Sequence, residues 1–215
     1  MRVRTDDRRN AILEAATEVF REVGYERASM AMIADRVGGS KTTLYGYFPS
    51  KEELFWNAMI GAMEGSGLKA LELLDPSETD VDAVLERFGE AYLRLFASRR
   101  GIAITRTAVA EGEANKTLVT LLYQRGPKRV LDAIAGYLTQ LKNKELIRDI
   151  DPRVGAIQFK ALLDGSVVEP LLFGAKPELK SLDAVRAAVD VFLGAYGSRQ
   201  ASPVQIQHRV RRAVL

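Results

Sequence analysis

The chain has 215 residues, 47% of them hydrophobic, and a formal net charge of +3 at pH 7. That is enough apolar material for one sizeable domain, or a small one joined to a larger. There is no cysteine and one histidine, His208, which argues against disulfides, thiolate metal sites and histidine-based catalytic or metal sets and fits a reducing cytoplasm. No apolar run approaches the roughly 18 residues of a membrane span, and the first ten residues, MRVRTDDRRN, lead into an amphipathic helix rather than a signal-peptide core.

The N-terminal arginines Arg2, Arg4, Arg8 and Arg9 form a local basic group. Such a group suits phosphates or a minor groove, and equally a solvated start. From Thr5 to Val23 the residues Ile12, Ala15, Ala16, Val19, Phe20 and Val23 repeat at helical spacing, with Asp6 and Asp7 in the first turn and Gly24 as the stop. Ser29 stands as N-cap for a short helix over Met30–Val37, and Gly38-Gly39 ends it. Ser40 caps the next helix, Lys41–Tyr47, and Pro49 stops it near Phe48. Ser50-Lys51-Glu52-Glu53 is a capping box that opens a fourth helix to about Leu74, softened by Gly61, Gly65 and Gly67.

Two short helices joined by a glycine-bearing turn form a helix-turn-helix, whose second helix enters the major groove of DNA. Leu44 and Phe48 would anchor that helix, leaving Lys41, Thr42, Thr43, Tyr45 and Tyr47 outward. An ammonium and hydroxyls suit phosphate; rings and threonine methyls suit base edges. Lys51, at a helix start, favours a phosphate. A capped helix pair of this kind also occurs in helical proteins that never meet DNA. Residues 1–56 carry nine Lys/Arg and nine Asp/Glu, so any basic footprint must come from local arrangement.

The segment Arg9–Phe55 resembles the DNA-binding domain of the TetR family of transcriptional regulators. The resemblance rests on Ile12-Leu13-Glu14-Ala15-Ala16, Phe20, Gly24-Tyr25, Ile33-Ala34, Ser40-Lys41-Thr42-Thr43-Leu44-Tyr45, Tyr47-Phe48 and Ser50-Lys51-Glu52-Glu53-Leu54-Phe55, an ungapped block of about a quarter of the chain. It implies that Lys41, Thr42 and Tyr45 approach bases while Thr43, Tyr47 and Lys51 hold phosphates. Ser29 would touch phosphate, and Ser40 joins the DNA-facing set at the head of the recognition helix. The chain departs from the family at Ala31 and Met32, where a basic or polar residue is common. It departs also at Gly39, usually β-branched, and at Gly46, often a larger side chain such as histidine. The first departure lowers the expected affinity per monomer, the second loosens the turn, and the third lets the helix approach the groove more closely.

Beyond Leu74 the chain reads as helix after helix, with no alternation long enough for a sheet. Expected helices run from the Thr79-Asp80 cap to about Ser98, Gly101–Ala110, Thr117–Arg125, Lys128–Lys144, Asp151-Pro152 to about Phe173, and Ser181 to about Gly197. The whole is therefore expected to be all-α. It divides into a DNA-binding helix-turn-helix domain over 1–56, a larger effector-binding and dimerisation domain over 57–197, and a basic tail over 198–215.

The last two long helices carry broad apolar stripes. Phe159, Leu163, Val167 and Leu171 on one, with Val185, Val189, Phe192 and Tyr196 on the other, are the expected homodimer interface, a four-helix contact with two-fold symmetry. Trp56, Met59, Met63, Phe88, Tyr92, Phe96, Tyr123 and Phe159 are candidate lining for an effector cavity, with Arg106 and Gln158 as polar contacts. Such a lining suits a hydrophobic or aromatic small molecule. The order of elements around Tyr123-Gln124-Arg125-Gly126-Pro127-Lys128 is similar to AefR-type regulators, a looser resemblance.

No cofactor, metal or membrane partner is expected. The pairs Glu111/Glu113 and Glu52/Glu53 have no histidine, cysteine or glycine-rich phosphate loop to work with, so no enzyme is expected. The expected function is a ligand-responsive regulator, a repressor released from a palindromic double-stranded operator by its effector. The alternative is a helical interaction or ligand-binding protein without sequence-specific DNA binding.

Overall fold

The computed structural model describes residues 2–59 and 61–198, with side chains from Asp6 onward except at positions 59 and 62–64. The expected roles of Arg2, Arg4, Met59 and Met63 and of the tail beyond Ser198 lie outside the described side chains. The described chain is helical apart from its connections and one isolated antiparallel bridge, Ile147 to Gly197. Its helices are α1 (Arg2–Arg27), α2 (Met30–Val37), α3 (Lys41–Tyr47), α4 (Lys51–Met59), α5 (Gly61–Glu72) and α6 (Val81–Phe96). They continue with α7 (Arg99–Ala110), α8 (Lys116–Arg125), α9 (Pro127–Asn143), α10 (Pro152–Leu163), α11 (Glu169–Leu172) and α12 (Ser181–Tyr196). A π-helical turn, Asp164–Val168, joins α10 to α11. No helix among the described residues is long and apolar enough to cross a membrane.

Local chemistry sets most helix ends. The Ser29, Ser40, Asp80 and Asp151 side chains accept the orphan N–H groups of Met32, Thr43, Ala83, and Arg153 and Val154. Gly38, at φ 66°, occupies the left-handed region and closes α2. Gly24, at φ 77° and ψ 170°, breaks the helical path of α1 where the sequence places a stop.

The described chain forms two compact units. The first comprises residues up to 66 together with 103–125; the second comprises 67–102 and the residues from 126 onward. In the first, Ile12, Ala16, Val19 and Phe20 of α1 pack with Ile33 and Ala34 of α2, Leu44 of α3 and Leu54 and Phe55 of α4. Phe55 stands edge-on to both Phe20 and Tyr25, with ring centroids 5.0 and 5.1 Å away. A three-helix unit of this size has little core of its own. Leu118 and Leu122 of α8 extend it, so a segment some sixty residues downstream supports the N-terminal helices.

The second unit is built from α6, α9, α10 and α12. Its core includes Leu85, Phe88, Ile134, Leu138, Phe159, Val185 and Phe192. Gly89 lets α6 approach α12 closely: a Cβ there would stand 2.8 Å from Val185. Gly155 does the same between α10 and α9, with Leu138 at 2.9 Å from such a Cβ.

Six of the eight expected dimer residues, Phe159, Leu163, Val167, Val185, Val189 and Phe192, lie inside the protomer's own core, while Leu171 and Tyr196 pack against it and keep part of their surface open. A side chain sealed by its own chain has no surface left for a partner. The broad stripes are consumed by packing among α6, α9, α10 and α12, and the large apolar side chains that α10 and α12 expose are Val154, Ile157, Leu182 and Val191.

Candidate nucleic-acid interface

At seven residues, α3 is too short to persist alone, and the first unit holds it at three points. Leu44 and Phe48 are 1% and 2% exposed, gripped from beneath. Ser40 Oγ accepts from Thr43 N at 3.0 Å and lies 2.9 Å from Thr43 Oγ1, fixing the first turn. The Arg9 guanidinium lies 5.2 Å from the Phe48 ring centroid and donates to Asn57 Oδ1 at 2.8 Å, tying the far end of α3 to α4. With the inner side anchored, Lys41, Thr42, Thr43 and Tyr45 are exposed, Tyr45 by 51%, and Tyr47 is half-buried. Gly46 borders open space, so a surface could come close to the backbone there.

Helix α2 is oriented by a charged fork. Arg36 donates to Glu22 at 2.6 and 3.0 Å and to Glu18 at 3.2 Å. The hydrogen bond from Arg36 holds the Glu22 carboxyl below its usual range. Ser29 is half-buried, and its oxygen serves as the α2 cap, accepting from Met32 N at 3.2 Å.

Lys51 does not present itself to a phosphate as the sequence suggested. Its ammonium donates to the carbonyls of Tyr25, Glu26 and Ala28 at 3.0, 3.4 and 3.1 Å and sits 4.2 Å from the Tyr25 ring centroid. A lysine has three protons to give, and these three carbonyls take them. Arg8 and Arg9 likewise turn inward rather than trailing as an arm: Arg8 donates to the carbonyls of Val37 and Gly38. No local pattern announces these contacts, because each joins residues more than twenty positions apart.

Ser50 Oγ accepts from Glu53 N at 3.2 Å, half of the capping box, while the Glu53 carboxylate takes both prongs of Arg125 at 2.7 and 3.0 Å. Arg125 also lies 5.3 Å from the ring centroid of Trp56, which is buried in the first unit. Arg106 and Tyr123 belong to the same unit, and Tyr123 is 49% exposed. In the second unit, Phe88, Tyr92, Phe96 and Phe159 form a continuous aromatic group. Tyr92 and Phe96 stack at 4.4 Å, and Phe88 and Phe159 stand 6.4 Å apart. Phe88 and Phe159 are fully buried, and Phe96 is half-buried. The Tyr92 hydroxyl donates to Asp164 Oδ1 at 2.5 Å, Lys160 pairs with the same carboxylate, and Gln158 accepts from Tyr196. Burial, with Asp164 beside it, pushes the Tyr92 phenol well up.

Two family models match. One, described as bacterial regulatory proteins of the tetR family, covers residues 12–57; the other, the C-terminal domain of AefR-like transcriptional repressors, covers 83–198. The chain belongs to the TetR family. Among curated relatives, the chain is 52% identical over 54 residues to the transcriptional activator FasR of Mycolicibacterium smegmatis, a quarter of either chain. It is 38% identical over 71 residues to the regulator YhgD of Bacillus subtilis, 33% of this chain and 37% of that one. These matches therefore span well under two thirds of either relative. Among solved structures, the flavonoid-responsive regulator FrrA superposes with a TM-score of 0.77 at 28% identity, covering 90% of this chain and 99% of that one. A TetR-family regulator from Mesorhizobium loti superposes at 0.75 with 23% identity, which supports the fold.

Proposed function

We propose that this TetR-family chain is a homodimeric, effector-responsive regulator that binds a palindromic double-stranded operator and acts as a repressor. The observation that carries the reading is the anchoring of α3: Leu44 and Phe48 fix it from beneath while Lys41, Thr42, Thr43 and Tyr45 face solvent. Lys41, Ser40 and Thr43 are assigned to phosphate, and Thr42 and Tyr45 to base edges, with Ser29 and Tyr47 at the rim. Lys51 supports the turn from within. The repressor assignment is supported by the AefR-like match over the C-terminal half.

One short helix reads few base pairs. Two copies placed about 34–36 Å apart would read successive major grooves. The dimer is assigned to the exposed faces of α10 and α12, through Val154, Ile157, Leu182 and Val191. The effector is assigned to the second unit, at the half-buried end of the Tyr92–Phe96 stack, with Lys160 and Asp164 as polar partners. The flavonoid responsiveness in the name of FrrA favours a planar aromatic molecule there. The effector would favour a dimer whose recognition helices are mis-spaced, shifting the population off DNA.

The test is fluorescence anisotropy with the DNA upstream of the chain's own gene, with and without a panel of flavonoids. Saturable low-nanomolar binding that a panel member weakens supports the reading. An effector bound equally well with and without operator would refute the coupling, and no operator binding even at low salt would favour a helical interaction protein.

A further inference from the structure

The turn between α2 and α3 contains two adjacent glycines that answer to different causes. Gly38 has a left-handed φ of 66°, which its backbone requires. Gly39 has no positive φ, so nothing in its own backbone calls for glycine. What stands where its side chain would go is the flexible tip of one arginine, which can be displaced, and not backbone. A Cβ at position 39 would stand 2.6 Å from Arg8 Nη2, while its other near neighbour, Val37 Cγ1, would be at a comfortable 3.6 Å. The space a side chain would occupy at 39 is filled by a guanidinium arriving from α1.

That guanidinium is committed there. Arg8 Nη1 donates to Val37 O at 3.4 Å and Nη2 to Gly38 O at 3.2 Å. These carbonyls close α2, where the helix leaves acceptors unmet and its partial negative charge attracts a cation. The next residues, Ser40 and Lys41, are the cap and first residue of α3. Arg9, beside Arg8 in α1, lies over Phe48 at the other end of α3. Two consecutive arginines thus reach the entrance and the exit of the recognition helix.

We propose that Arg8 is a positioning residue for the recognition helix, and that the missing side chain at Gly39 exists to admit it. Arg8 braces the turn, and through it sets where Lys41 and Thr42 stand; it holds carbonyls, not phosphate. The proposal rests on the DNA-binding reading for its consequence, though not for its geometry.

The test compares wild type, Arg8→Ala, Arg8→Lys, Gly39→Val and the Arg8→Ala/Gly39→Val pair, by operator anisotropy across a salt series and by thermal melting. Arg8→Ala should weaken operator binding roughly three- to tenfold, the scale of a partly solvated charge-assisted contact, with the salt slope unchanged. Arg8→Lys, which keeps the charge but loses the fork, should recover part of the loss. Gly39→Val should lower affinity and melting temperature when Arg8 is present, by expelling the guanidinium, and have little effect or a restoring one in the Arg8→Ala background. Equal harm from Gly39→Val in both backgrounds would overturn the proposal. So would a salt slope shallower by about 0.9 per protomer in Arg8→Ala, about 1.8 for the dimer, which marks a lost phosphate contact. Should wild type bind no DNA, the regulator reading fails, and the Arg8–Gly39 coupling is still decided by the melting temperatures alone.

Discussion

Tyr25 ties the end of α1 to the first turn of α4: its hydroxyl donates to Glu52 Oε1 at 2.8 Å. Asn115, the residue before α8, donates to the same hydroxyl at 3.1 Å and to the same carboxylate at 3.4 Å, while its own oxygen accepts from Leu118 N. Burial, with Glu52 beside it, pushes the Tyr25 phenol well up, so it stays a donor throughout the useful pH range. Three segments distant in sequence meet at one phenol.

Removing that hydroxyl with Tyr25→Phe should cost about 1–2 kcal/mol in chemical denaturation, the range for a buried polar network losing one partner. The pH dependence should change too. Burial raises the Glu52 carboxyl, but hydrogen bonds, including the one from Tyr25, hold it below its usual range on balance. A depressed carboxylate contributes stability above its ordinary pKa and loses it as pH falls through the folded value. Tyr25→Phe should therefore flatten the acid limb of stability, and an unchanged limb would show that Tyr25 does not help hold Glu52 ionised.

Lys51 gives a second, separable outcome. If its role is to gather the Tyr25, Glu26 and Ala28 carbonyls, Lys51→Met should lower stability by about 1–3 kcal/mol. The salt slope of operator binding should stay as it is. Lys41→Ala should do the opposite: little change in melting, and a slope shallower by about 0.9 for each protomer, so about 1.8 for the dimer. If Tyr45 meets a base edge as proposed, Tyr45→Ala should reduce discrimination between operator and mismatched DNA, with the slope intact. Titrations at four or five salt concentrations distinguish the three.

What could be read from the sequence is what depends on neighbours along the chain. Ser29, Gly38, Ser40, Asp80 and Asp151 end or start helices by contacts two to four residues away, so their roles are written locally. Leu44 and Phe48 were legible because helical spacing separates them from Lys41, Thr42 and Tyr45. The destinations of long side chains were not. Lys51 and Arg8 each have two plausible fates, outward to phosphate or inward to carbonyls, and only the path of the backbone decides. The stripes of α10 and α12 were broad because three neighbouring helices press on them, which a one-dimensional pattern cannot tell from a partner subunit. The support that α8 gives α1 and α4 through Leu118, Leu122 and Asn115 has no sequence signature.

Glu111 carries a stability cost that pH should reveal. Its Oε2 is buried without a protein hydrogen-bond partner, and burial together with the nearby Glu26 carboxylate raises its pKa. For an acid raised on folding, the native state binds more protons than the unfolded one, so stability is greatest below the ordinary carboxylate range and falls as pH rises through the folded value. Glu111→Gln removes the charge and keeps the shape. It should raise the melting temperature at neutral pH and leave it unchanged at pH 4, and a variant less stable at pH 7 would contradict the reading.

The dimer assignment is open to the sharpest contrast, because the two candidate sets of residues on α10 and α12 answer oppositely to substitution. Val191 and Ile157 are 58% and 50% exposed in the protomer. Replacing either with Asp removes little from the protomer's own packing, so intrinsic stability should move by about 0.5 kcal/mol or less. If these residues meet a second copy, the same substitution buries an unpaired carboxylate at the symmetric contact twice over. Light scattering should then report a protomer-sized species that is still fully helical, and operator affinity should fall at least a hundredfold as the second recognition helix is lost. Phe192→Ala, by comparison, opens the protomer core and should cost about 3–5 kcal/mol whatever the oligomeric state. Retention of both dimer and operator binding in Val191→Asp and Ile157→Asp would move the interface off this face.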